Sequence, residues 1–169
     1  MKTPSSALLT LTLIAAAGLA QAQTPAPQGL LSERNVSLAL ASQIAAATVA
    51  ACSANGHAVT ATVVDRAGHV RAQQRADNAG PHTLEASRLK AYTAASARNT
   101  TLAMMEASQK NPAAANLKDI PGYLLLGGGV PLRAGNEVVG AVGVGGAPGG
   151  HLDEQCAVAA IEQFKAALP

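Results

Sequence analysis

Aromatic residues are almost absent from this chain, which has one Phe, two Tyr and no Trp among its 169 residues. Their scarcity excludes a core built on large rings, so the interior has to be assembled from Ala, Val, Leu and Ile. Small side chains let helices pack closely, and they leave narrow crevices instead of wide, aromatic-lined pockets. We therefore expect any ligand to bind at a surface or an interface.

An excess of charge of one sign is also absent, because positive and negative residues nearly balance and the formal net charge is only +2. This balance gives no reason to expect binding of nucleic acid or of an anionic membrane. The chain has no C-x-x-C, H-E-x-x-H or G-x-S-x-G motif, which excludes the usual zinc, haem-attachment and hydrolase signatures. The glycine run at 143–150 is not a dinucleotide fingerprint, since the chain ends before a βαβ unit with its acidic residue is complete.

The N-terminus has the order of a secretory signal peptide. Lys2 is followed by a short apolar stretch from Ala7 to Ala20, and Ala20-Gln21-Ala22 is a small-x-small cleavage site. We predict a signal peptide at residues 1–22, a flexible leader at 23–31 and one domain at 32–169. The protein is then expected to be periplasmic or secreted, without membrane insertion after cleavage.

The two cysteines, Cys52 and Cys156, allow two interpretations. Export permits a disulfide between them. Both also suit small, buried apolar positions in helices. The residues alone do not choose between these alternatives.

Hydrophobic periodicity and turn residues predict four helical and five extended segments. The helices are expected from Ser32 to about Asn55, from His82 to about Gln109 with a break near Asn99-Thr100, and from Leu152 to Leu168. Strands are expected at 58–65, 69–76, 123–126, 130–133 and 137–144. Because strands joined by hairpins are antiparallel, the fold class is α+β: an antiparallel sheet of about five strands with helices packed on its faces.

The helix that begins at His82 carries the main candidate side chains. At about 100° per residue, His82, Lys90 and Thr100 fall within one quadrant. Leu84, Ala91 and Ala95 lie opposite and are expected to form the core stripe. The first face is either an ordinary solvated surface or part of a site. The preceding loop favours a site, because Arg75 and the rigid Gly80-Pro81 lead directly into His82.

Four blocks of sequence are informative when they are taken together: TVVDRAGHVRAQQRADNAG at 62–80, EASRLKAYTAAS at 85–96, GGGVPL at 127–132 and GNEVVGAVGVGGAPGGHLDEQCA at 135–157. In this combination they resemble the GlcG/HbpS-like family of haem-degrading or haem-binding domains. They cover nearly the whole predicted domain. The chain departs from the family habit in the first loop, where Asn78 stands at a position that is often Gly.

The resemblance implies an exported haem-binding protein that assembles into a homo-oligomer. Haem degradation or redox sensing is a further possibility within this family, so whether the chain is an enzyme stays open. Alternatives are a binder or enzyme for a small hydroxy or keto acid, and an oligomeric accessory protein without a ligand.

The expected cofactor is haem, and its expected site is formed by six residues. Arg75 and Lys90 would pair with propionates or with another small carboxylic acid. His82, or less favourably Thr100, would lie near the iron, so His82 is the candidate metal ligand. Glycines at Gly127 and Gly128 would let a flat ligand approach the backbone.

Overall fold

A computed structural model describes residues 29–169 of the chain. The predicted signal peptide and most of the predicted leader lie outside the described residues, so these boundaries stay predictions. Within the described part, no helix combines the length and the apolar character needed to cross a membrane.

The described residues form four α-helices, four strands and two 3₁₀ helices. The helices are α1 (Leu38–Ala54), α2 (His82–Ala97), α3 (Thr101–Lys110) and α4 (Gly150–Gln163), with 3₁₀ helices at Pro112–Asp119 and Lys165–Ala167. The strands are β1 (Thr60–Asp65), β2 (Val70–Arg75), β3 (Gly129–Ala134) and β4 (Glu137–Gly145).

The four strands make one antiparallel sheet in the order β2-β1-β4-β3. Both predicted hairpins, β1–β2 and β3–β4, are confirmed, and β1 also pairs with β4 so that Thr60 lies opposite Gly145. The α+β class is therefore confirmed. The strand predicted at 123–126 was wrong, because this segment is a loop that leads into the glycines before β3.

The start of α1 also differs from the prediction. Ser37, not Ser32, is the N-cap, and its hydroxyl accepts a hydrogen bond from the Leu40 N–H at 3.2 Å. The residues before it cannot be helical, because the Val36 N–H donates to the Val139 carbonyl at 2.9 Å and ties this segment to β4.

The first face of the sheet is covered by α1 and α4, and it holds the main apolar core. Ile44 and Ala45 of α1 pack on Val63, Val142 and other strand residues of one buried cluster. Cys52 in α1 and Cys156 in α4 form a disulfide, with Cα atoms 5.3 Å apart. The bridge joins the two helices of this face and decides between the two interpretations of the cysteines.

The second face is covered by α2, and its contacts are smaller and more polar. A short cluster of Val64, Ala91, Ala94, Ala95 and Ala141 lies there. Beside it the Thr60 and Thr83 hydroxyls are 2.6 Å apart, and those of Thr62 and Ser87 are 2.7 Å apart. The predicted core stripe was partly wrong, since Leu84 is 37% exposed, whereas Lys90 is buried.

The loop before α2 explains the departure from the family habit at Asn78. Asn78 has φ = 66°, which is the left-handed region that glycine adopts most easily. Asparagine tolerates this region better than most residues with a side chain. The loop therefore keeps a backbone path that suits glycine.

Candidate functional site

A buried ion pair joins α2 to the start of α4. Lys90 is 2% exposed, and its Nζ donates to Asp153 Oδ2 and to the Val144 carbonyl, each at 2.8 Å. Asp153 Oδ1 accepts from the Ala147 N–H at 3.0 Å. Burial raises the pKa of Asp153, and the Lys90 ammonium offsets part of that increase.

This pair gives Lys90 a structural role. Its ammonium is enclosed, and it donates hydrogen bonds to two acceptors within the protein. In this arrangement it cannot reach a propionate or another carboxylate at the surface. The proposal that Lys90 binds a ligand would therefore require the Asp153 contact to open, which a buried ion pair strongly resists.

The glycines at 127–129 lie against this pair. A Cβ on Gly129 would collide with the Lys90 carbonyl, and one on Gly128 would lie 2.7 Å from both Asp153 Cβ and the Val144 carbonyl oxygen. Gly128 also has φ = 119°, which a residue with a side chain rarely adopts. Close backbone packing therefore accounts for these glycines.

The remaining predicted site residues lie on different elements. Arg75 and His82 are both exposed, at the end of β2 and the start of α2. Thr100 is the N-cap of α3, and its hydroxyl accepts from the Ala103 N–H at 3.3 Å. Within residues 29–169, no group of three or more His, Cys, Asp and Glu side chains is placed to hold a metal ion.

Two neighbouring cavities lie along the outer face of α4, and we call them together the α4 groove. Its first part, of about 530 Å³, lies between α3 and α4. Its second part, of about 340 Å³, lies between β3 and α4. The first part is lined by Leu102, His151, Glu154, Gln155, Val158, Ala159 and Glu162. The second is lined by Val130, Pro131, Arg133, Gly135, Val158, Ile161, Glu162, Lys165 and Leu168.

The two parts adjoin, because Val158 and Glu162 line both. Val158 is 52% exposed, so its apolar side chain is open to a ligand or to another surface. Each volume falls within the range of about 300–1,000 Å³ that is usual for small-molecule sites.

The histidine and the cationic side chains lie towards opposite ends of the α4 groove, and the carboxyl groups of Glu154 and Glu162 also line it. His151 is exposed and lies at the N-terminal end of α4. Arg133 and Lys165 line the opposite end. Apolar side chains lie between them, which makes the groove suitable for a flat apolar molecule with an anionic edge.

Glu154 is the most unusual side chain of the groove. Its Oε2 atom is buried and has no hydrogen-bond partner within the described part of the chain. Burial raises the pKa of Glu154 above its ordinary value, while the N–H groups of Leu102 and Gly128 and the Thr100 hydroxyl offset part of the increase. Thr100 and Gly128 of the predicted site thus both lie near this carboxyl.

Sequence reasoning missed this groove for a specific reason. His151, Gln155, Val158 and Glu162 follow helical spacing along one face of α4, but a mixed face of this kind is typical of an ordinary solvated surface. The facing residues, Leu102 and Arg133, come from elements that only the fold brings near. The glycine run at 143–150, directly before His151, was the one available local signal.

Comparison with known proteins links this fold to a family. The family model described as haem degrading protein HbpS-like matches residues 36–162. A crystal structure of a double mutant of HbpS from Streptomyces reticuli is 38% identical, with a TM-score of 0.76, over 86% of this chain and 98% of that one. Protein ORFY of Klebsiella pneumoniae is 30% identical, with a TM-score of 0.79, over 84% and 99%.

A more distant structure, a complex of PduOC with haem, shares the fold. It is 23% identical, with a TM-score of 0.70, over 76% of this chain and 94% of that one. The resemblance inferred from the four sequence blocks is therefore confirmed: the chain belongs to the HbpS-like family, whose description concerns haem.

Proposed function

We propose that this protein is exported, forms a homo-oligomer and binds haem in the α4 groove. The observation that carries the proposal is the layout of that groove, in which apolar side chains such as Val158 and Ala159 lie between a histidine and two cationic side chains, with Glu154 and Glu162 also on its wall. Membership of a family described by haem degradation supports this choice of ligand. The haem complex of PduOC supports it further, since that protein has the same fold.

The groups present in the groove fit haem. His151 offers an imidazole nitrogen, which is a strong donor to haem iron. Leu102, Val158 and Ala159 offer apolar contact for the macrocycle. When bound, haem would supply a redox-active iron, and the chain would hold and orient it.

Arg133 and Lys165 are the candidate partners of the propionates. Arg133 Nη2 donates to the Arg98 carbonyl at 2.6 Å, which leaves other guanidinium donors for a carboxylate. Lys165 pairs with Glu162 at 3.1 Å on an exposed surface, where such a pair is weak and easily exchanged. Since the groove is shallow, we expect modest affinity.

His82 remains the alternative iron ligand. It is exposed at the start of α2, and it does not line the α4 groove. We prefer His151 because it stands beside apolar side chains that can cover a macrocycle.

Export and assembly are proposed on separate grounds. The order of charge, apolar stretch and cleavage site in residues 1–22 supports export, and the Cys52–Cys156 disulfide suits an oxidising compartment. N-terminal sequencing of exported protein should begin at Gln23. Exposed apolar side chains outside the groove, such as Leu38 and Val70, support self-association, so light scattering at micromolar concentration should give at least a dimer.

A hemin titration followed by visible absorption tests the haem proposal. His151→Ala should shift or abolish the haem band, while a double variant, Arg133→Ala with Lys165→Ala, should weaken binding by roughly tenfold with the band unchanged. His69→Ala is a matched control, because His69 is an exposed histidine in the β1–β2 turn.

His82→Ala decides between the two candidate ligands. If it alone removes the band, the ligand is His82 and the groove assignment fails. A spectrum that is the same in the wild type and in all the histidine variants would mean that hemin adsorbs non-specifically, and the haem proposal would then be rejected.

A further inference from the structure

The carboxyl of Glu154 forms part of the wall of the α4 groove, one helical turn beyond His151. Its Oε2 atom is already shielded from water and lacks a hydrogen-bond partner within residues 29–169. The side chain as a whole is only half-buried, so water still reaches part of it from the groove. A ligand lying on the groove would remove that remaining water.

The surroundings of this carboxyl offer few charges to replace the lost water. From α3, Glu106 disfavours ionisation, while the Leu102 N–H and the Thr100 hydroxyl favour it. The loop before β3 contributes the Gly128 N–H. From α4 itself, the neighbouring titratable groups of the groove are His151 and Glu162. From α2, the Lys90 ammonium is held by Asp153 and Val144.

Within residues 29–169, neither Lys nor Arg lines the α3–α4 part of the groove, so His151 is the one side chain of that lining that could become a cation beside an ionised Glu154. Placing an unpaired carboxylate under an apolar surface is strongly unfavourable, and such a group takes up a proton instead. A neutral carboxylic acid also gains an O–H donor, which the ionised form lacks.

We propose that Glu154 is a neutral carboxylic acid when a flat apolar ligand occupies the α4 groove, so that binding takes up one proton. This inference rests on the proposed haem function, and it adds a regulation of the same site. Because binding takes up a proton, the groove should bind the ligand more tightly at mildly acidic pH than at alkaline pH.

The sign of the effect follows from linkage. Covering the groove raises the pKa of Glu154 further than burial in the free protein already does. Between the pKa of the free protein and that of the complex, binding takes up a proton, and affinity falls as pH rises. For one proton the slope is at most about tenfold per pH unit. Below the pKa of the free protein, affinity no longer depends on this group.

The test compares hemin with iron-free protoporphyrin IX between about pH 5 and pH 8, a range that begins above the ordinary glutamate pKa of about 4.3. The iron-free probe removes the effect of proton competition at a histidine ligand. Proton uptake is measured by calorimetry in two buffers with different ionisation enthalpies. The variants are Glu154→Gln and, as matched control, Glu85→Gln, which alters an exposed glutamate of α2 that lines neither part of the groove.

Wild type and Glu85→Gln should lose affinity for protoporphyrin IX with rising pH and take up close to one proton. Glu154→Gln should show a flatter profile and less uptake, because the carboxyl that is proposed to take up the proton is gone. Equal slopes and equal uptake in wild type and Glu154→Gln would overturn this inference while leaving haem binding intact.

If hemin binds saturably and the iron-free probe does not, the hemin titrations test this inference. Wild type should then again show a steeper fall in affinity with pH, and a larger proton uptake, than Glu154→Gln. Absence of saturable binding of either probe would instead reject the proposed function, and this inference with it. Far-UV circular dichroism of each variant checks that the fold is retained.

Discussion

The two faces of the sheet are packed in different ways. On the face covered by α1 and α4, branched side chains such as Ile44, Val63 and Val142 form a continuous apolar cluster. On the face covered by α2, alanines, glycines and paired hydroxyl groups bring the helix close, and a buried Lys90 lies at its edge. One face is stabilised by apolar volume, whereas the other depends on close approach and satisfied polar groups.

This difference decides which substitutions each face tolerates. An apolar core can exchange one medium-sized side chain for another with partial repacking. A face held by backbone proximity has no spare volume, and its buried polar atoms lose their partners if either element moves. The α2 face should therefore be the more sensitive of the two, and it adjoins the start of α4 and its groove.

The largest expected effect comes from removing one partner of the buried ion pair. Lys90→Met leaves Asp153 without its cation, and breaking such a pair typically costs about 3–5 kcal/mol. The free energy of unfolding, measured by urea denaturation, should fall by that amount. In the double variant, Lys90→Met with Asp153→Leu, much of the loss should be recovered, because no unpaired charge remains. A single variant as stable as wild type would show that the pair is not closed in solution.

The second prediction concerns the disulfide that joins α1 and α4 on the apolar face of the sheet. The Cys52–Cys156 disulfide closes a loop with a sequence separation of 104 residues. Replacing both cysteines by Ala should lower the free energy of unfolding by about 2–5 kcal/mol, mainly because the unfolded chain gains freedom. Reduced wild-type protein is the control and should lose a similar amount. If oxidised wild type and the double variant unfold at the same denaturant concentration, the bridge does not form.

Much of this fold was predictable from local patterns. Both hairpins, the break between α2 and α3 and the closing helix follow from turn residues and periodicity that the sequence shows directly. The segment at 123–126 was wrongly predicted to be a strand because its residues include three consecutive apolar ones, Leu124, Leu125 and Leu126. Their place is decided by distant partners: the Leu124 N–H donates to the Thr93 hydroxyl, and the Thr101 hydroxyl donates to the Leu126 carbonyl.

The site was less predictable, for the same physical reason. Lys90 was placed on a polar face of α2 because helical spacing puts it in one quadrant with His82 and Thr100. Its partner, Asp153, is separated from it by most of the second half of the chain and is brought near only by the sheet. The α4 groove likewise needs α3, β3 and α4 together, so no single stretch of sequence contains its pattern.

The smallest expected effect compares two glycines of β4 that both face α2. A Cβ on Gly143 would collide with the Ser87 carbonyl and the Ala91 N–H, whereas one on Gly145 would lie at an ordinary 3.5 Å from Ala86 Cβ. Gly143→Ala should therefore force α2 away from the sheet and cost about 1–3 kcal/mol, which is the usual range for overpacking.

Gly145→Ala is the matched control. Its added methyl group meets only a contact of normal length, so its cost should stay below about 1 kcal/mol. Hydrogen exchange should locate the difference, with faster exchange of α2 amides in Gly143→Ala and unchanged exchange in α1. Equal destabilisation by the two substitutions would mean that α2 adjusts freely, and close approach would then not be what distinguishes the two faces. If Gly143→Ala alone also loosens Lys90 from Asp153, the α2 face and the start of α4 behave as one packed unit.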